Sequence, residues 1–302
     1  MATNTDNSRL QAPHAEAAGG AVRIWQLLAL ASAAYLALGL LAGPRAFARL
    51  TAGPGVIAAA VLAGIAYILI ALAMVALVSR LPLSWKGQLG TGLLFAVAFG
   101  AARLADMRLP GQPFQLVGDL LLVLMAVFLG IAASRIIRER NMLVPVAVVA
   151  AAIDTWGVYW GFVAEVGKKA PEVVQQFSAA VPGSAAAGLP VPLLSSVGIG
   201  DFLFMGLFVG AVYRLHMNPR ATLWALFAVY LLVPPAFAAV SAVTGSAAPL
   251  LPGLLFLSFA VLIANWRQFH FSRAERYALL YAGAVVAAII LLAWGVKHAL
   301  MH

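Results

Sequence analysis

Nine apolar runs of about 17 to 25 residues, each closed by charge, proline or glycine, constrain this chain more than any single residue does. They lie near 23–43, 56–79, 87–105, 115–134, 142–166, 193–215, 221–243, 247–266 and 276–297. Each is long enough to cross the hydrocarbon core of a bilayer, which takes about 20 helical residues. In lipid every backbone polar group must be paired internally, so the choice is between helices and a closed barrel. A barrel needs short segments of alternating polarity, and these runs are continuous. The expectation is an all-α polytopic membrane protein of about nine transmembrane helices. Charged residues agree: they make up 10% of the chain, against about 25% in soluble domains.

The first 22 residues are polar and small and are predicted to form a disordered tail (1–22) ahead of a single polytopic membrane domain (23–302). The run after the tail reads as a retained span rather than a cleaved signal peptide. Loops are short except 167–192, which is polar at first and then rich in small residues, Pro and Gly. Counting Lys and Arg on alternating sides gives twelve against seven, which predicts a cytoplasmic N-terminus. The expected setting is a prokaryotic cell membrane. The net charge of +9 is spread over many loops, which suits contact with anionic lipid and leaves no patch for nucleic acid. Cysteine is absent and the five histidines are scattered outside the span centres, so no metal site and no cofactor is expected.

Acidic residues are few, and four of the ten lie in or beside apolar runs: Asp119, Asp154, Glu165 and Asp201. Asp119, one turn into its run behind Pro113, reads as an interfacial carboxylate facing a helix dipole. Glu165 ends its run beside Lys168 and Lys169 and reads the same way. Asp154 and Asp201 are placed near mid-span, where a carboxylate costs about 2.5 to 3.5 kcal/mol on insertion scales and a short side chain cannot reach headgroup water. Their spans are consecutive, so two carboxylates at like depth can meet. Two close carboxylates in a low dielectric share one proton. One oxygen can then deprotonate water while the other protonates a scissile carbonyl.

Around Asp201 the sequence reads GIGDFLFMGLFVG, from Gly198 to Gly210. Gly198 and Gly200 leave the backbone bare on one side, which would admit a second extended chain or, more simply, a packed helix. Pro249 follows Asp201 by 48 residues and opens the stretch Pro249, Leu250, Leu251, Pro252 and then Gly253. Two prolines this close remove backbone donors and disfavour regular helix, although a proline in an ordinary first turn is the plainer reading.

Taken together, these motifs resemble the GxGD intramembrane aspartyl proteases, and the presenilins more than the signal peptide peptidases. GIGDF with its Phe204, Val209 and Gly210 is similar to the presenilin form of the motif, and PLLP looks like the family's PAL motif with its following proline. The resemblance covers roughly 142–266. It implies a presenilin-like fold with the catalytic helices in that range. It also implies that Asp154 and Asp201 activate water, and that Gly198, Ile199, Gly200 and Pro249, Leu250, Leu251, Pro252 hold an unwound single-span substrate by strand-like pairing. Ile153 stands where the family has Tyr, and Leu250 where it has Ala. Four runs precede the Asp154 span and one follows the PLLP span, whereas presenilins have five and none. Accessory subunits are left open. The alternatives are a proton- or cation-coupled transporter or channel using the same aspartates, and a catalytically silent presenilin-like protein that binds membrane partners.

Overall fold

The computed structural model describes residues 7–42, 54–109, 112–159, 169, 176–181, 196–244, 252–281, 283–284 and 288. Within them the chain is helical apart from one two-stranded sheet. The helices are α1 (Asn7–Leu41), α2 (Pro54–Ser79), α3 (Trp85–Arg108), α4 (Gln112–Ala133), α5 (Leu143–Tyr159), α6 (Ile199–Arg214), α7 (Pro219–Thr244) and α8 (Gly253–Ala264). The strands are β1 (Ser178–Ala180) and β2 (Ser196–Gly198). Among the described residues five stretches are long and apolar enough to cross a membrane: Gly19–Leu41, Val61–Ser79, Trp85–Arg108, Phe114–Ile136 and Arg140–Val158. Pro219–Val233 and Gly253–Ala264 are shorter apolar helices. By length and composition this is a helical membrane protein.

Local chemistry explains several helix starts. Ser84 caps α3, its Oγ accepting the Gly87 amide at 3.2 Å, as expected of a serine at that position. Pro54 and Pro219 open α2 and α7, where a missing N–H costs nothing. Asn218 caps α7 by accepting the Ala221 amide at 3.1 Å. The exception is α8, whose cap is Pro252 and which has no side-chain acceptor of its own. The Leu255 amide returns to the Pro252 carbonyl at 3.2 Å, which leaves the Leu254 amide to find a partner on another element.

The packing centre is α4, with Leu122, Val123, Ala126, Val127 and Phe128 fully enclosed. It packs against α3 on one side and α6 on the other, while α5 packs against α8. The α4–α6 contact is backbone to backbone. A Cβ at Gly206 would stand 2.7 Å from the Val127 carbonyl oxygen, and one at Gly130 would run into the backbone of Leu203. Small residues at such crossings let two helices approach closely where lipid supplies no hydrophobic drive.

Arginines gather at one end of the bundle. Arg80 donates to the Tyr213 hydroxyl at 2.8 Å, Arg135 to the Leu83 carbonyl at 2.9 Å and Arg140 to the Leu215 carbonyl at 3.2 Å. Arg214 donates to the carbonyls of Ser134 and Ile137. Cations beside free carbonyls at helix C-termini are favourably placed.

Three expectations are corrected. The run 193–215 does not form one span: β2 takes Ser196–Gly198 and the helix begins only at Ile199. Asp201 is therefore in the first turn of α6 and not at mid-helix. Asp119 is not an interfacial carboxylate: it is 5% exposed and paired with Arg103. In the run 247–266 the helix starts at Gly253, while Pro249, Leu250 and Leu251 lie outside the described residues. So do most of 167–192 and most of the run 276–297. At the other end, α1 begins at Asn7, within the segment 1–22.

The α4–α6 crossing yields a first prediction. Gly206→Leu forces a side chain into the Val127 backbone and should cost about 1–3 kcal/mol or more, read as a lowered unfolding midpoint in detergent. Gly200→Ala, where a Cβ meets nothing within 4 Å, should leave that midpoint in place.

Candidate active site

The fold brings each carboxylate to a break in regular structure. Gly198 is the N-cap of α6 and lies in extended backbone, at φ −69° and ψ 152°. Three residues on, Asp201 sits where free first-turn amides and the helix dipole favour a negative charge. The Gly198 amide hydrogen-bonds its carboxylate. Asp154 comes from the fourth turn of α5 and meets α8 from the side: the Leu254 amide donates to its Oδ2 at 2.9 Å. Asp154 thus supplies from another helix the cap that Pro252 cannot give.

Asp201 reaches the same turn. A Cβ at Gly253 would lie 2.5 Å from Asp201 Oδ1 and 3.1 Å from Oδ2, so only glycine lets the start of α8 rest against that carboxyl. One aspartate touches Gly253 and the other is bonded to Leu254. Standard backbone dimensions then limit the distance between the two contacting oxygens to about 9 Å at most. The two side chains lie within electrostatic range of one another, and both are half-buried. Such a pair can hold one proton between them and exchange it with a water, provided water reaches the site.

The two glycines of GIGD are not packing glycines. Among the described residues a Cβ at Gly200 would meet nothing within 4 Å, and one at Gly198 only the Asp201 carboxyl at 3.8 Å. This contrasts with Gly130 and Gly206, which sit against backbone. Ile199 donates its amide to the Phe177 carbonyl at 3.0 Å, which ties the start of α6 to the segment holding β1. Of the remaining residues singled out in the sequence, Pro252 lies at the cap of α8 beside both aspartates. Ile153 is 62% exposed and turned away from the packed interior. Glu165 lies outside the described residues.

Three features of the site escape a reading by sequence. The Tyr230 hydroxyl on α7 is buried with no hydrogen-bond partner among the described residues, within electrostatic reach of Asp201 and Asp154. β1 comes from a loop with no apolar alternation to mark a strand. The third feature is the Arg103–Asp119 pair, at 2.8 Å. Its one available signal was a cation and an anion near the facing ends of consecutive apolar runs. Among the described residues no three His, Asp or Glu side chains come together as a metal would need. A surface cavity lined by Asn218 and residues 263–268 is at the opposite end of α8.

Compared with family models, with curated proteins and with solved structures, the chain matches none.

The capping role of Asp154 can be measured apart from any activity. Asp154→Ala leaves the Leu254 amide without its acceptor and should cost about 0.5–2 kcal/mol. Asp154→Asn keeps an amide oxygen in place and should recover most of that loss, as followed by thermal unfolding in detergent.

Proposed function

We propose that this chain is an intramembrane aspartyl endopeptidase, presenilin-like in its arrangement of about nine spans, that hydrolyses peptide bonds of single-span membrane proteins. The observation that carries this reading is the convergence of Asp154 and Asp201 on adjacent residues of one helix start, Gly253 and Leu254. In the proposed reaction one carboxylate takes a proton from water and the other, protonated, gives one to the scissile carbonyl. The hydroxide equivalent adds to the carbonyl carbon, and the tetrahedral species then breaks the C–N bond as the amine leaves with a proton.

A peptide bond inside a helix is shielded by its own turn, so the substrate must be unwound before it can be cut. The flank of Gly200, clear of every described side chain, and the Ser196 end of the β2 edge offer backbone groups to an extended segment, and β-strand addition is the ordinary way an extended peptide docks on such an edge. Pro249, Leu250, Leu251 and Pro252 are proposed to hold the same segment from the other side. No cofactor enters this scheme, since the two carboxylates and water supply every proton it requires.

The test is purified protein in liposomes with a model single-span substrate. Asp154→Asn and Asp201→Asn should each lower cleavage by about 100-fold or more. Gly200→Val should lose cleavage while keeping its unfolding midpoint, because it fills only open space. Undiminished cleavage in either aspartate variant would falsify the proposal, as would proton or cation flux that depends on Asp201 in a protein that cuts nothing.

A further inference from the structure

Arg103 on α3 and Asp119 on α4 form an ion pair enclosed in the bundle, with Arg103 Nη2 at 2.8 Å from Asp119 Oδ1. By itself such a pair says little about stability, because apolar residues of similar volume often serve as well. What sets this pair apart is its third partner. Asp119 Oδ2 accepts the Ala180 amide of β1 at 3.2 Å, and Arg103 Nη2 also reaches the Gln176 carbonyl at 3.3 Å. The guanidinium lies over the Phe99 ring at 5.3 Å, and Phe99 in turn meets Phe177 at 6.3 Å between centroids. Both ends of the segment 176–180 are thus fastened to this pair.

The strand register gives that fastening a direction. β1 and β2 are antiparallel, with Ser178 opposite Gly198, Ala179 opposite Val197 and Ala180 opposite Ser196. The Ile199 amide bonds to the Phe177 carbonyl, and amides alternate sides along a strand. The amides of Ala180 and Gly198 therefore point outward, from opposite edges of the sheet. Asp119 takes the first and Asp201 the second. A continuous path runs from Arg103 through Asp119, β1 and β2 to Asp201.

We infer that Arg103 and Asp119 are a positioning pair, which closes the outer edge of β1 against strand addition and fixes the register of β2 beside Asp201. β1 packs on α4, whereas β2 adjoins α6, so an added segment is directed to the Ser196 end of the β2 edge, the Gly198 amide being held by Asp201. Where the register of β2 is fixed, so is the substrate bond that lies over the aspartates. The clamp is a property of the fold alone. Its effect on cleavage rests on the protease reading above.

Two variants release the clamp without burying an unpaired charge. Arg103→Met with Asp119→Leu replaces the ion pair by apolar groups of similar size. Ala180→Pro removes only the donor, and proline is tolerated where a strand amide faces outward at an edge. Hydrogen exchange on the full-length protein in detergent should show the 176–181 and 196–200 amides exchanging up to about tenfold faster in both variants, with residues 122–128 unchanged. Unchanged protection at 176–181 in both overturns the inference. With a substrate that the wild type cuts at one bond, both variants should give ragged product ends by mass spectrometry, and KM should rise more than kcat falls. A single unshifted cut despite faster exchange removes the register claim. If the wild type cuts nothing, the protease reading fails and the exchange result alone decides the clamp.

Discussion

A chain that leaves the helix inside a membrane must still pair the backbone groups it frees, and that requirement organises the functional half of this molecule. Three of the described breaks in regular structure are answered in this way: the segment carrying β1, the junction of β2 with α6, and the Pro252 start of α8. At each, an aspartate accepts a backbone amide. Asp119 takes Ala180, Asp201 takes Gly198 and Asp154 takes Leu254. The cost of placing a carboxylate in an apolar protein is offset at each site by an amide that would otherwise lack a partner. Carboxylates and helix breaks therefore occur together.

This pairing also explains why the two aspartates near α8 converge. A proline cap leaves the start of α8 with no side-chain acceptor for the Leu254 amide, and a glycine after it removes the side chain that would hold neighbours away. Asp154 answers the first condition and Asp201 exploits the second. The rigid part of the scaffold lies behind them, in the α4–α6 crossing through Gly130 and Gly206. Broken backbone is thus carried on a tightly packed helix pair, an arrangement suited to holding reactive groups in place while leaving one face open.

Much of this was legible from residue order. Apolar runs gave most of the helices, the rarity of acidic residues singled out Asp154 and Asp201, and Pro252 with Gly253 marked the start of α8. Where the helix begins was misjudged. An apolar run looks the same whether its first residues are helical or extended, so Ser196–Gly198 gave no sign of a strand and Asp201 was placed at mid-helix. Asp119 was misjudged for a different reason. Its surroundings in sequence suit an interfacial carboxylate, and nothing local shows that Arg103 on the preceding helix turns toward it. Tyr230 is an ordinary aromatic in an apolar run until its hydroxyl is seen to be enclosed near both carboxylates.

By itself the sequence determined that the chain is helical and of membrane-spanning character, because hydropathy and helix length are properties of contiguous residues. It also marked the break at Pro252 and Gly253, since proline and glycine act through their own backbone, although Pro234 and Pro235 are carried inside α7. Only the tertiary structure decided which amide each aspartate accepts, which glycines pack and which lie open, and that β1 is fastened to α3 and α4. Those outcomes depend on contacts between residues tens of positions apart, and no local period encodes them.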